Sequence, residues 1–349
     1  MTKDQQKEGE SMIQAIVVSE PYHIRHTARE MPVAGKDEAL VRIRRIGICG
    51  TDYHAFHGRQ PYFEYPRILG HELAGEVAQL PPGESHFKVG DRVTIVPYLN
   101  CGECYACRRG VPNACIRLRV MGVHIDGGMQ EYVAVPVSHL VSAEGLSWEQ
   151  TVIVEPLAIS AHAVNRAKLK SGDFALVVGA GPIGLAAMKF AKLAGAFVIA
   201  MDTNERRLAF AEKWAACDKI VLASSEAERE LASLTNGEMP LVVFDATGNA
   251  AAMEQSFQYA SHGGKIVFIS LVQGDIRFSD PLFHKKELTL FASRSSTKEE
   301  FGQVIEAIRC GQVDADSFIT HRAPFSEGAE AFLSWVRPES AVIKAVLEL

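Results

Sequence analysis

The chain is 349 residues long, beyond the roughly 250 to 300 residues at which one hydrophobic core stops growing, so two domains are expected. With 47% hydrophobic and 22% charged residues it can bury a large core, which excludes a disordered or fibrous protein. Lys and Arg number 36 against 42 Asp and Glu, a formal charge of -6 without long like-charged runs, so neither a nucleic-acid backbone nor an anionic membrane is an expected partner.

Residues 1–12 are polar, carry both signs of charge and lack the apolar stretch of a secretory signal, so export is not expected. Short strand-like runs follow at 13–18, 39–46, 92–96 and 131–135, broken by Gly and Pro, and they predict a β-rich, barrel-like domain up to about Val154. From Ala158 the rhythm changes. Buried strands at 174–178, 197–201, 219–222, 241–244 and 265–270 alternate with helical patterns such as 183–193 and 206–214, and that alternation predicts a parallel, doubly wound sheet. An amphipathic helix at 298–310 and a strand within 340–349 close the chain, the latter expected to rejoin the first domain. The apolar runs are far shorter than the roughly 20 residues that cross a bilayer. Four of the seven cysteines crowd into fifteen residues, which suits metal-bound thiolates in a reducing compartment, so a cytoplasmic location is expected.

The first expected strand of the parallel sheet runs into Gly179, Ala180, Gly181, Pro182, Ile183 and Gly184, and the next strand ends at Asp202. Glycines at this spacing allow a tight turn and close backbone approach to a pyrophosphate, while the helix that follows aims N–H groups and a positive dipole end at it. A carboxylate about 20 residues on can accept from both ribose hydroxyls and repels a ribose phosphate, which favours NAD, although Arg206 and Arg207 keep NADP open.

Cys101, Cys104, Cys107 and Cys115 form C-x2-C-x2-C-x7-C, a set able to close a tetrahedral shell around a structural zinc; an iron–sulfur cluster uses similar spacing. A second, dispersed set comprises Cys49 in GICGTD (47–52), His71 and Glu72 in GHE (70–72) and Glu155 in VEPLA (154–158). One sulfur, one imidazole and carboxylates suit a zinc ion that keeps a position open for water or substrate. Each residue alone also has a plain structural reading: a core cysteine, a satisfied histidine, a helix-start carboxylate. The same donors would serve a zinc hydrolase, which needs no dinucleotide loop, whereas a cofactor-sensing protein without chemistry would not need the intact metal set.

Over nearly its whole length the chain resembles the zinc-dependent medium-chain alcohol and polyol dehydrogenases, a family that includes sorbitol and threonine dehydrogenases. The resemblance rests on GICGTD, GHE, the four-cysteine lobe, EPLA and GAGPIG in that order. Within the family it is strongest toward bacterial L-galactonate and L-gulonate 5-dehydrogenases, through GVHIDGG (122–128), EPLAISAHAV (155–164) and FSDPLFHKKE (278–287). It implies an α/β protein with a GroES-like β-rich catalytic domain (1–157 and 297–349) and a Rossmann domain (158–296), binding NAD and two zinc ions per chain and assembling as a homotetramer or homodimer. Cys49, His71 and Glu72 then correspond to catalytic zinc ligands, with Glu155 a ligand or a partner of the water on the metal. Thr51 and His54 correspond to a proton path, and Cys101, Cys104, Cys107 and Cys115 to the structural zinc. Gly179, Gly181, Pro182, Ile183, Gly184, Asp202, Arg207, Thr247, Ile269 and Ser293 correspond to cofactor contacts. The expected reaction is hydride transfer from a secondary hydroxyl to the nicotinamide, with Arg294 the first candidate for a substrate carboxylate and His124 a polar wall. Ala55 departs from the family, since sorbitol dehydrogenases carry a substrate-lining aromatic there.

Overall fold

The computed structural model describes residues 12–349; the polar stretch that argued against export lies, except for Met12, outside them. Contacts divide the described residues into two compact units, one of residues 12–99, 119–152 and 321–349 and one of residues 100–118 and 153–320.

The first unit is built from β-sheet. Seven strands form one sheet, with Leu140–Ser142, Arg92–Ile95, Glu72–Gln79, Glu38–Ile48, Lys344–Glu348 and Ile319–Pro324 side by side and Tyr132–Pro136 also paired to Glu38–Ile48. A three-stranded sheet places Met12–Glu20 between His23–Glu30 and Arg67–Ile68. The C-terminal strand pairs antiparallel with Glu38–Ile48, so the chain does rejoin its first domain. Their shared core contains Ile16, Ile43, Ile46, Leu73, Ile95, Phe56 and Phe332, and both phenylalanines meet edge to face at 5.4 Å between ring centroids.

The second unit carries a six-stranded parallel sheet in the order Lys219–Leu222, Phe197–Asp202, Phe174–Val178, Val242–Asp245, Lys265–Phe268, Thr289–Ala292. Numbered from Phe174–Val178, that order is 3-2-1-4-5-6, the doubly wound dinucleotide-binding arrangement. The sixth strand is the one the sequence pattern did not predict, because Thr289–Ala292 is largely exposed at the sheet's edge and lacks a buried strand's continuous apolar run.

By contacts the first unit stops at 152, residues 100–118 go with the second unit, and the return to the first unit falls at 321. Local bonding explains the last two. Asn113 donates to the Arg294 carbonyl at 2.8 Å and lies 3.2 Å from His162 Nε2, which ties the cysteine lobe to the parallel-sheet unit. His162 Nδ1 in turn lies 3.1 Å from Glu300, which closes the capping box of the helix Lys298–Arg309 and thereby anchors that helix on Val154–Ala167. Hydrogen bonds from His162 and Thr297 outweigh desolvation and hold the Glu300 carboxyl down at about 2. Among the described residues no helix is long and apolar enough to cross a membrane.

Phe332 is 1% exposed in the first unit's core, so Phe332→Ala is expected to cost about 3 to 5 kcal/mol, read as a lowered denaturation midpoint with an unchanged slope.

Candidate metal centres and dinucleotide loop

The antiparallel register of Glu38–Ile48 with Glu72–Gln79 sets Gly47 opposite Glu72. Cys49 therefore leaves the end of one strand as His71 and Glu72 enter the other, and one ligand atom from each of the three lies within 4.8 Å of the others. Cys49 caps the helix Gly50–Phe56, and its N–H donates to Asp52 Oδ2 at 2.9 Å. Asp52, which the sequence reading left without a role, is buried beside His71, its Oδ1 3.9 Å from Nδ1. Burial pushes its carboxyl up, against the lowering effect of His71 and of the Cys49 and Gly70 N–H groups. A carboxylate behind a ligating imidazole orients the ring and raises its basicity. Thr51 and His54 sit on the same short helix, Thr51 partly buried and His54 exposed. Partial desolvation, then Arg59 and His57, lower the His54 pKa below that of a free imidazole. Ala55 turns the other way, into the core, at 1% exposure.

In the second unit the four lobe cysteines converge. Sγ–Sγ separations are 3.4 Å (101–115), 3.5 Å (104–107), 3.8 Å (104–115) and 4.0 Å (101–107). Thiolates about 2.3 Å from a tetrahedral zinc stand roughly 3.8 Å apart, whereas a disulfide would bring two sulfurs to about 2.05 Å. The residues therefore fit a closed metal shell. The Cys101 N–H and the Arg117 N–H both donate to Cys115 Sγ at 3.3 Å, and the Asn100 amide lies 3.6 Å from Cys107 Sγ. The Glu103 N–H is the largest of the influences that bring the Cys101 thiol down to about 6.

Strand Phe174–Val178 delivers the glycine loop to the helix Pro182–Leu193, whose N-terminus no side chain caps. A Cβ at Gly184 would stand 1.7 Å from the Gly179 carbonyl oxygen, whereas one at Gly181 would meet open space. Gly184 thus permits close packing and Gly181 leaves room for a ligand. Asp202, at the tip of the next strand, accepts from Ala180 N–H at 2.7 Å and from Asn204 N–H at 2.8 Å, so it also pins the glycine loop. Arg207 lies exposed in the first turn of the following helix. Thr247 is fixed by the buried Asp245, which accepts from its N–H at 2.9 Å and its hydroxyl at 2.7 Å. Ile269 and Ser293 follow the fifth and sixth strands and donate their N–H groups to Asp245 and Phe268 carbonyls. Arg294 comes next, its side chain exposed.

The remaining expected residues are placed within single units. Glu155 is fully buried in the first turn of Val154–Ala167, in the second unit. His124, in the first unit, accepts the Val120 N–H on Nδ1 at 3.1 Å and stacks on Tyr62 at 5.9 Å.

Residues 35–145 match the model of an alcohol dehydrogenase GroES-like domain, and residues 182–309 that of a zinc-binding dehydrogenase. The chain is 40% identical to L-galactonate-5-dehydrogenase of Escherichia coli (strain K12), over 97% of this chain and 99% of that protein. Sorbitol dehydrogenase of Bacillus subtilis (strain 168) is 30% identical over 91% of this chain and 92% of its own length. Among solved structures, the E. coli CFT073 alcohol dehydrogenase RspB complexed with NADH superposes with a TM-score of 0.91 at 30% identity, covering 97% of this chain and 100% of that one. The chain belongs to the zinc-binding alcohol dehydrogenases of the medium-chain family. It is accordingly an oxidoreductase that uses NAD(P) and zinc on a small-molecule substrate.

The two metal clusters should separate by phenotype. Cys107→Ser opens the closed shell and is expected to lower the melting temperature on the order of 10 °C. Cys49→Ser should abolish turnover with a much smaller thermal effect. Metal analysis together with calorimetry on both variants checks the pair.

Proposed function

We propose that the protein oxidises the C5 hydroxyl of a sugar acid, L-galactonate or L-gulonate, to a keto acid with NAD as hydride acceptor. The observation that carries this reading is the Cys49, His71 and Glu72 cluster in a chain 40% identical to an L-galactonate-5-dehydrogenase along nearly its full length. Cys49, His71 and Glu72 hold the catalytic zinc, and Cys101, Cys104, Cys107 and Cys115 the structural one. Zinc, when bound at the first site, acts as a Lewis acid that lowers the pKa of the substrate hydroxyl. Glu155, buried without exposure, is assigned to the same chemistry as a ligand or a partner of water.

Thr51 takes the hydroxyl proton and hands it to His54, whose lowered pKa keeps its ring neutral and able to accept near pH 7. Gly179 to Gly184, Asp202 and Arg207 would hold the dinucleotide, with Thr247, Ile269 and Ser293 along the sheet's edge, and its nicotinamide would supply the hydride acceptor. Arg294, exposed and adjacent to Ser293, receives the sugar-acid carboxylate, and His124 offers a neutral polar surface. The location is assigned as cytoplasmic, the assembly as a homodimer or homotetramer, and the catalytic domain as 1–157 with 297–349.

Asp202→Ala should lower the ratio of kcat/KM for NAD over NADP at least about tenfold, since the carboxylate that repels a ribose phosphate is gone. An unchanged ratio in side-by-side assays would overturn the assignment. Arg294→Ala should cost about tenfold in kcat/KM on L-galactonate or L-gulonate and much less on sorbitol, a smaller effect than for a buried pair because Arg294 is exposed. Equal losses on acid and polyol would mean that Arg294 does not read the carboxylate.

A further inference from the structure

The C-terminal strand Lys344–Glu348 begins with a lysine, Lys344, that is buried to 2% exposure. Its ammonium lies 2.6 and 2.7 Å from the two oxygens of Glu72, itself fully buried, and donates at 3.1 Å to the carbonyl of Ile48, the residue before Cys49. These two side chains come from strands that are not neighbours. Glu38–Ile48 runs between Glu72–Gln79 and Lys344–Glu348, so the pair must reach across about 10 Å of sheet. Gly47 is the residue they cross, paired with Glu72 on one side and Val346 on the other. A Cβ there would stand 2.1 Å from Glu72 Oε2. The sheet thus leaves out one side chain, and the carboxylate and the ammonium meet in the gap.

Such a pair is costly to bury, and a stability role alone would be met as well by apolar residues of similar size. Its place beside the metal cluster gives it another consequence. One thiolate and one carboxylate cancel the charge of a divalent ion, and Lys344 adds a positive charge in a region of low dielectric. An ammonium bound to both carboxylate oxygens draws electron density from the donor and repels the metal. Resting on the reading that Cys49, His71 and Glu72 hold zinc, we propose that Lys344 is a positioning residue that keeps Glu72 a weak, displaceable donor, so that the metal retains an exchangeable position.

The test compares the zinc-loaded parent chain with Lys344→Met and Lys344→Arg, by zinc content, competition with a chelating dye, the absorption spectrum after cobalt(II) exchange, and kcat. Loss of the cation should tighten zinc binding at the Cys49 site at least about tenfold, change the cobalt spectrum and lower kcat at least about tenfold. Lys344→Arg keeps the charge and should stay within about threefold of the parent on zinc affinity. A purely structural lysine would give the opposite sign, with zinc held more loosely as stability falls. Unchanged or weaker zinc binding with a parent-like cobalt spectrum in Lys344→Met overturns the proposal. Where the Met variant does not fold, Lys344→Gln removes the charge while keeping a donor toward Ile48, and the same outcomes decide. A parent chain that binds one zinc only would overturn the metal-site reading itself, whereas two zinc ions with unaltered affinity in the variants would overturn this inference alone.

Discussion

The antiparallel register between Glu38–Ile48 and Glu72–Gln79 is the constraint on which the first unit's chemistry depends. A slip of one residue would move every side chain of one strand to the opposite face. Register therefore decides whether Cys49, at the end of one strand, meets His71 and Glu72 at the start of the other. The capping box of the Gly50–Phe56 helix reinforces the arrangement, because Asp52 binds the Cys49 N–H and sits beside His71. One carboxylate thus fixes both the chain's exit from the strand and the surroundings of the imidazole.

A comparable economy appears in the second unit. Asp202 ends a central strand, and its two oxygens accept from backbone N–H groups on both sides, at Ala180 and Asn204. Those bonds hold the glycine loop against the tip of the neighbouring strand while leaving lone pairs for ribose hydroxyls. Asp245 does the same for Thr247 two strands along the order from Asp202. Carboxylates at the carboxyl ends of parallel strands therefore shape the turns at the edge where doubly wound sheets place their ligands.

Most of the parallel sheet was legible because its buried strands are continuous apolar runs and its helices amphipathic; 174–178 and 219–222 were read with the bounds the structure shows. Thr289–Ala292 was missed, since an exposed edge strand has neither pattern. Glu72–Gln79 was not anticipated as a strand either: its small and charged residues, Ala74, Gly75 and Glu76, dilute the signal. The cysteine lobe was readable as a metal staple, but its place with the second unit was not. That depends on Asn113 bonding the carbonyl of Arg294, 181 positions away.

What the sequence by itself determined is what is local. The glycine loop, the carboxylate about twenty residues beyond it and the four clustered cysteines each act within a short stretch, where spacing along the chain fixes spacing in space. Only the tertiary structure decided that Gly47 must be bare, that Asp52 lies beside His71, and that Lys344 is bound to Glu72, 272 positions earlier. Lys344 lies in the strand that the sequence predicts within 340–349, but its partner was not legible there, because strand pairing joins residues whose distance along the chain carries no information about their contact.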